Sequence, residues 1–111
     1  MLSKFRWIKL GKIDLYVEVM IDNNDLNIGM GKYQSPPKHA MLFIFSDNNN
    51  EMYITMNNVT FALNVLFFDK ERNPLTIDGS NYWLRMMPND NNKLMPKGTC
   101  YMIEFPVDTF S

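Results

Sequence analysis

The sequence predicts a mostly β fold, an antiparallel β-sandwich or a small, partly open barrel with at most one short helix. Residues 13–21 place branched apolar side chains at every odd position, and this two-residue period is typical of a half-buried strand. Further short apolar segments follow, with turn residues between them. No segment carries a sustained apolar stripe at the helical period, which favours strands throughout.

The N-terminal part of the chain is predicted to form a β-hairpin. Residues 4–10 and 13–21 form two strand-like segments, and Gly11 and Lys12 separate them. In the second segment, alternation places Asp14 and Glu18 on the polar face. We therefore expect both carboxylates to face solvent.

The middle of the chain predicts one short helical turn followed by a central strand. Residues 26–33 have room for a single turn, because Gly29 and Gly31 disfavour a longer helix. Pro36 and Pro37 predict a loop, since neither proline can donate to a strand ladder. Residues 40–45 are a continuous apolar run, as expected of a strand buried on both faces.

The remaining chain predicts further strands and one long polar loop. The strands are expected at 52–56, 61–68, 75–77, 82–87 and 99–105, with the loop at 88–98 and the last strand closing the sheet. No linker, repeat or low-complexity segment divides the sequence. We therefore predict a single β-rich domain over residues 1–111.

Composition and charge argue against several classes of partner. The net charge is −1, and the Lys and Arg residues are scattered, so the attraction that drives nucleic-acid binding is not expected. No apolar run approaches the ~20 residues of a membrane-spanning helix. Lys4, Arg6 and Lys9 interrupt the N-terminal apolar residues, so no signal peptide is predicted. We predict a cytoplasmic protein that binds neither nucleic acid nor membrane.

The sequence predicts no metal site, cofactor or catalytic group. Its one cysteine, Cys100, and one histidine, His39, cannot make a structural zinc site. Asp47–Glu51 alternates oxygen ligands, but Met52 stands where a calcium loop has glycine, so a solvated turn is favoured. Cys100 and His39 could act as nucleophile and base only if the fold brought them together. Cys100 lies in an apolar strand and is predicted to be buried and inert.

Four blocks of the sequence stand in the order of a known family pattern. They are Gly29-Met30, the run 40–45, the segment 56–69 and the C-terminal block 101–106. On these blocks the chain resembles the uncharacterised domain-of-unknown-function family 192, whose members share the apolar positions. At polar positions of the pattern this chain differs, with Asn57, Val59, Ala62 and Asn64 in place of Lys, Thr, Pro and Asp. The resemblance therefore implies a shared fold and does not supply an activity.

The end of the chain and its composition suggest a divergent member of that family. Family members continue into a Gly-rich closing strand that is absent after Ser111, so the resemblance implies a sheet edge left open. Abundant Asn, Lys, Ile and Met indicate an AT-rich coding genome. Together with the short chain, this bias suits a phage-encoded, C-terminally shortened member.

Five polar residues are candidates for a binding site, namely Asn57, Asn58, Asn64, Asp69 and Glu104. The three amides flank the turn between two predicted core strands. One interpretation makes them turn residues that satisfy local backbone groups. The other is a polar cluster that hydrogen-bonds a ligand. Because amides replace the charged residues of the family pattern, acid–base catalysis is not expected there.

Three aromatic residues, Trp7, Tyr82 and Trp83, are candidates for a partner surface, because aromatic side chains with a polar edge are favoured at interfaces. Alternation turns only one of Tyr82 and Trp83 inward.

The first functional hypothesis is a non-enzymatic binding or assembly module, such as a phage virion or host-interaction protein, with a protein partner or self-association favoured over a small molecule. The alternative is a small-molecule-binding domain or enzyme whose polar pocket lies near the turn between Asn57 and Asn64.

Overall fold

The described part of the chain contains eight short strands and two 3₁₀ helices. In the computed structural model, residues 4–21, 26, 28–45 and 51–110 are described. The strands are β1 (Phe5–Leu10), β2 (Ile13–Met20), β3 (Ala40–Ile44), β4 (Tyr53–Ile54), β5 (Leu63–Phe68), β6 (Leu84–Met86), β7 (Lys93–Leu94) and β8 (Tyr101–Pro106). The 3₁₀ helices span Gly29–Lys32 and Val107–Phe110.

Six of the strands form one sheet in the order β1-β2-β3-β8-β5-β6, while β4 and β7 form a separate two-stranded sheet. The predicted hairpin is confirmed as the antiparallel pair β1–β2, joined through Gly11 at a φ of 62°. The prediction of a mostly β fold is likewise confirmed. The six-stranded sheet is mixed, because β2 and β3 run parallel. The long connection over residues 21–39 provides the crossover that a parallel pair requires.

The last strand occupies the middle of the sheet. β8 pairs with β3 on one side and with β5 on the other. The expectation that this segment would close the sheet is therefore wrong, and β1 and β6 are the outer strands of the described sheet. Its central place agrees with its burial, since five consecutive residues from Met102 to Pro106 are buried.

Several predicted elements differ in length from the observed ones. The strand predicted at 52–56 shortens to β4, and the polar loop predicted at 88–98 contains β7. The segment 75–77 forms no strand; a single bridge joins Pro74 to Phe68. Polar residues 22–25 and the candidate loop residues 46–50 lie outside the described residues.

Both faces of the large sheet carry a hydrophobic core. One face contributes Met20, Met41, Phe43, Val65, Phe67 and Met102 to the first cluster. The other contributes Leu15, Val17, Val19, Ala40, Ile103 and Phe105 to the second. The continuous apolar runs of β3, β5 and β8 are thus explained, because a strand covered on both faces has no solvent side.

The predicted alternation of β2 holds for only part of the strand. Asp14 and Tyr16 are exposed, but Glu18 and Met20, two and four positions beyond Tyr16 on the same face, are buried. The expectation that Glu18 faces solvent is therefore wrong. Residues that return from the crossover cover this end of the strand and enclose the carboxylate. Among the described residues, no helix is long and apolar enough to cross a membrane.

Candidate functional site

Two buried glutamates lie in one cross-strand row of the large sheet. Glu18 of β2 is paired with Met41 of β3, and Met41 is paired with Glu104 of β8. Directly paired residues project from the same face, and neighbouring strands lie about 4.8 Å apart. The two glutamates therefore share a face, with backbones separated by roughly 10 Å. They are 1% and 5% exposed.

Glu18 is surrounded by three polar side chains, Lys32, Tyr33 and His39, and we name these four residues the Glu18 cluster. Lys32 Nζ forms a salt bridge with Glu18 Oε2. The Tyr33 hydroxyl donates to Glu18 Oε1 at 2.7 Å, and His39 Nε2 lies 3.1 Å from the same oxygen. His39 Nε2 also lies 3.2 Å from the Tyr33 hydroxyl. Both carboxylate oxygens are thus satisfied within the protein.

The electrostatics of the Glu18 cluster keep its carboxyl ionised. Burial alone would raise the pKa of Glu18, but hydrogen bonds from Lys32, Tyr33 and His39 outweigh burial and hold that pKa below its ordinary value. Burial and the neighbouring carboxylate raise the pKa of the Tyr33 hydroxyl, so it remains a donor. The cluster ties the 3₁₀ helix Gly29–Lys32 to β2 and β3, which is a structural role.

Glu104 faces a cavity of about 400 Å³, which we name the Glu104 pocket. Most of the described residues that line it have apolar side chains, and the polar lining side chains are Glu104, Thr55, Asn57 and Tyr53. The apolar part comes from the 3₁₀ segment, β3, the β4 region and β8, with Leu26, Ile28, Met30, Phe43, Phe45, Met52, Ile54, Val59, Met95 and Met102. A cavity of this size suits a small molecule.

A glycine sets how closely the 3₁₀ helix approaches this pocket. Gly29 has a φ of 49°, a backbone conformation that residues with a side chain rarely adopt. A Cβ at this position would lie 3.2 Å from Phe43 Cζ. Met30 follows and is buried against the core. The Gly29-Met30 pair singled out in the sequence therefore shapes one wall of the pocket.

The carboxyl of Glu104 differs from that of Glu18 in having no partner among the residues that the structure describes. Its side chain forms no hydrogen bond or ion pair with any residue that the structure describes, and its neighbours in the row are Met41 and Val65. Burial raises the pKa of Glu104 to about 8. At neutral pH the Glu104 carboxyl is therefore mostly protonated and can donate or accept a hydrogen bond. It can also lose its proton and form an ion pair with a cation.

The five binding residues predicted from the sequence do not all lie together. Asn57 and Glu104 line the same pocket, while Asn58, Asn64 and Asp69 are absent from its described lining. Asn64 lies on the opposite face of the sheet, where its Oδ1 accepts from Arg85 Nε at 3.3 Å.

Two of these residues serve turns. Asn58 adopts a φ of 63°, as asparagine often does in a turn. Asp69 accepts from the backbone N–H groups of Glu71 and Asn73 at 2.9 and 2.8 Å. Asn58 thus has the backbone conformation of a turn residue, and Asp69 accepts hydrogen bonds within its own turn.

The three predicted partner residues lie near the two outer strands of the sheet. Trp7 of β1 is 67% exposed, and its ring lies 5.0 Å from that of Tyr16. Tyr82 and Trp83 precede β6 and are 51% and 48% exposed, so neither is fully turned inward. Trp83 also packs edge-on against the buried ring of Phe105.

Sequence reasoning missed the Glu18 cluster. The sequence argues against His39 as a zinc ligand and leaves it as a candidate base for Cys100, yet these residues adjoin opposite ends of β3: His39 precedes Ala40, and the Cys100 carbonyl accepts from Phe45 N–H. The available signal was a charged residue in the otherwise apolar end of β2. A carboxylate flanked by Val17, Val19 and Met20 requires buried partners.

Two other kinds of site receive less support. A second cavity of about 450 Å³ lies beside Trp83 and Lys93. Its carboxylate, Asp78, is exposed and already accepts from the backbone N–H groups of Ser80 and Asn81. Within the described ranges, no three His, Cys, Asp or Glu side chains are grouped so as to hold a metal ion.

Comparison with known proteins identifies a family and two structural neighbours. Residues 7–111 match the model of DUF192, described as "Uncharacterized ACR". A provisionally named transcription regulator from Sinorhizobium meliloti 1021 has a TM-score of 0.70 at 22% identity, covering 98% of this chain and 86% of its own. A protein of unknown function from Novosphingobium aromaticivorans DSM 12444 has a TM-score of 0.66 at 12% identity, with coverages of 90% and 70%. No curated protein matches the chain. At these identities the two likenesses show the fold alone.

Proposed function

This chain belongs to the DUF192 family, whose description is uncharacterised, and from its own site we propose that it is a non-enzymatic domain that binds a small ligand in the Glu104 pocket. One observation carries the proposal: a carboxyl that is 5% exposed, without a described partner, faces a cavity whose lining residues are mostly apolar. An unpaired buried polar group is costly unless something satisfies it. A ligand in the pocket would supply that partner.

The proposal takes up one of the two sequence-based hypotheses in a modified form. The pocket adjoins the predicted turn through Asn57, but its deepest polar group is Glu104 rather than the amides. A nucleophile or second acid–base group beside Glu104 would favour an enzyme. The described lining contains neither, since Tyr53 is exposed and its hydroxyl donates to Glu51 at 3.2 Å.

The methionines provide a direct test of ligand binding. Met30, Met52, Met95 and Met102 line the pocket, whereas Met20 and Met86 are buried in the core outside its described lining. We would label the methionine methyl groups with carbon-13 and screen small aromatic fragments by NMR. Shifts are expected at the four lining methyl groups for a subset of fragments, with the methyl groups of Met20 and Met86 as internal references.

A pocket-filling variant provides the control for that screen. Thr55 is exposed and lines the pocket, whereas Thr60 is exposed outside the described lining. Thr55→Trp should abolish the fragment shifts, and Thr60→Trp should leave them. Fragments that bind equally well to both variants, or a screen without shifts at the lining methyl groups, would contradict the proposed site.

A second candidate function is association with a protein through β1. The supporting observation is a group of aromatic rings at the β1 edge: Trp7 and Tyr16 are exposed, and the half-buried Phe5 stacks on Tyr16 at 5.5 Å. An outer strand has unpaired backbone groups that can receive a strand from another chain. A role as a phage virion or host-interaction protein would use such a surface and stays a prediction.

Self-association through β1 can be tested by light scattering after size exclusion. If β1 pairs with a second copy, the mass should rise with concentration, and Trp7→Ser should return the protein to a monomer. Tyr82→Ser is the matched variant near the opposite edge and should leave the assembly unchanged. A monomer at every concentration would count against self-association.

A further inference from the structure

The charge of the Glu104 pocket restricts the kind of ligand that it can accept. Glu104 is the one acidic residue in the described lining, and that lining contains no Lys, Arg or His. Lys32, the nearest basic residue along the wall-forming 3₁₀ helix, forms its salt bridge with Glu18 instead. An anionic ligand would find no positive partner and would face a carboxyl group.

Aromatic rings form a second feature of the same pocket. Phe43, Phe45 and Tyr53 all contribute to its lining, and the rings of Phe43 and Phe45 stack at a centroid distance of 6.3 Å. The faces of aromatic rings attract cations, and rings combined with a carboxylate are a recurrent way to bind alkylated ammonium groups. Thioether sulfurs from the four lining methionines add polarisable surface.

From these two features we infer that the Glu104 pocket recognises a small organic cation, an alkylated ammonium group on an apolar body, with the cation against Glu104. This inference rests on the proposed function and names the class of ligand for that site. Glu104 would form the ion pair, while the aromatic and methionine side chains would contact the apolar body. No bond is made or broken, so the site acts by binding alone.

Proton release provides a signature of this binding mode. Burial holds the pKa of Glu104 at about 8, so in most ligand-free molecules the Glu104 carboxyl is protonated at neutral pH. A cation binds the ionised form, and binding therefore releases a proton. Below pH 8 the affinity for a cation should rise about tenfold for each pH unit, whereas the affinity for an uncharged ligand should stay constant.

Other titratable groups lie outside this linkage. Met41 of β3 and Val65 of β5 flank Glu104 in the row, and Tyr53 is the other titratable side chain in the described lining. Glu18 faces the same side of the sheet but has its own partners. The pH dependence of cation binding is therefore assigned to Glu104.

Three probes of similar shape test the inference: benzyltrimethylammonium, its uncharged carbon isostere neopentylbenzene, and phenylacetate. Binding is followed at the carbon-13 methyl groups of Met30, Met52, Met95 and Met102. At pH 8 the cation should bind at least about tenfold more tightly than neopentylbenzene, and phenylacetate should bind most weakly. A peptide carrying trimethyllysine is added to learn whether the ammonium group comes from a free molecule or a protein side chain.

A neutral variant separates the charge of Glu104 from its shape. In Glu104→Gln, the preference for the cation and its pH dependence should disappear, while binding of neopentylbenzene should persist. Glu71→Gln removes an exposed carboxylate as the matched control and should change neither. Equal binding of cation and isostere by the wild type, or a preference for the cation that survives in Glu104→Gln, would overturn the inference and leave the small-ligand proposal intact. Failure of all probes together with the fragment screen would overturn both.

Discussion

Glu18 and Glu104 lie on one face of the same sheet, in one cross-strand row with Met41 between them, yet their surroundings are opposite. Glu18 contacts an ammonium group, a phenol and an imidazole, and its pKa is lowered despite its burial. Glu104 lies between Met41 and Val65 and opens on a cavity, and burial raises its pKa. Both side chains are almost inaccessible to solvent, but Glu18 has partners that outweigh its burial, whereas Glu104 has none among the described residues.

This comparison separates a structural carboxylate from a candidate binding group. Every oxygen of Glu18 is used to hold the 3₁₀ helix Gly29–Lys32 and the residues around His39 against the sheet. Glu104 forms no such hydrogen bond or salt bridge with the described residues. A carboxyl that lowers stability is retained most readily where it serves something other than the fold, and the pocket provides such a use.

The largest expected effect is a loss of stability as the pH rises, caused by Glu104. A carboxyl group whose pKa is raised in the folded state does not lower the free energy of unfolding at a pH below its unfolded pKa. As the pH rises from the unfolded pKa to the folded pKa, the group lowers that free energy progressively. For Glu104 this window extends from its ordinary value of 4.5 to about 8. The cost of ionising it in the core approaches about 5 kcal/mol above that range. Denaturant unfolding of the wild type and Glu104→Gln across this window measures the effect.

The variant should be about as stable as the wild type near pH 5 and clearly more stable near pH 8. If the stability of Glu104→Gln no longer falls as the pH rises, the pH dependence of the wild type is caused by Glu104. If the free energy of unfolding changed with pH equally in both proteins, Glu104 would have partners in the folded protein, which would contradict the contrast with Glu18.

Glu18→Ala should have the next largest effect, in the opposite direction. It removes the acceptor that the partly buried Tyr33 and His39 share, and the loss of such an acceptor costs about 1–3 kcal/mol, although these two side chains still lie within hydrogen-bond distance of each other. Because Lys32 is partly exposed, its lost salt bridge adds little. We expect a loss of about 2–3 kcal/mol near neutral pH, measured from the denaturation midpoint. Asp14→Ala, an exposed carboxylate on the same strand, is the matched control and should change stability by less than about 0.5 kcal/mol.

The pH dependence around Glu18 sharpens the same contrast. Since the pKa of Glu18 is lowered in the folded protein, its contribution is present above the ordinary value of 4.5 and is lost as the pH falls through the folded pKa. Glu18→Ala should therefore be most destabilising near neutral pH and least so in acid. A loss that is constant with pH would show that packing, and not the ionised carboxylate, stabilises this end of the sheet.

Tyr33→Phe should have the smallest effect of the series. It removes one of the three groups that contact Glu18, while Lys32 and His39 remain. A single hydrogen bond to a charged acceptor contributes about 1.5–3 kcal/mol, and the remaining partners offset part of the loss. The measurement is the same unfolding midpoint. A cost as large as that of Glu18→Ala would make Tyr33 the main support of the carboxylate and contradict a shared role.

Much of the sheet could be predicted from the sequence, because its signals are local. The β1–β2 hairpin follows from alternation and Gly11, and β3 and β5 follow from their apolar runs. The central place of β8 could not be predicted, since strand order depends on pairing between residues far apart in the chain. The same limit applies to the parallel pairing of β2 with β3.

The candidate site could be predicted only in part, for the same physical reason. Glu104 and Asn57 are two of the five predicted binding residues, and both line the pocket. Asn64 belongs to a strand whose alternation directs it to the opposite face. Glu18 was assigned to the exposed face, because the period of β2 gives no sign that residues from the crossover cover its end.

The most direct test of the contrast between the two glutamates is a carbon-13 NMR titration of their side-chain carboxyl groups, with Glu18→Gln and Glu104→Gln used for assignment. A Glu104 carboxyl without partners should titrate near pH 8, and a Glu18 carboxyl held by its cluster should titrate below 4.5. Titration of both groups near 4.5 would contradict the account, because Glu104 would then be solvated or paired, and the pocket would contain no unsatisfied carboxyl for a ligand to meet.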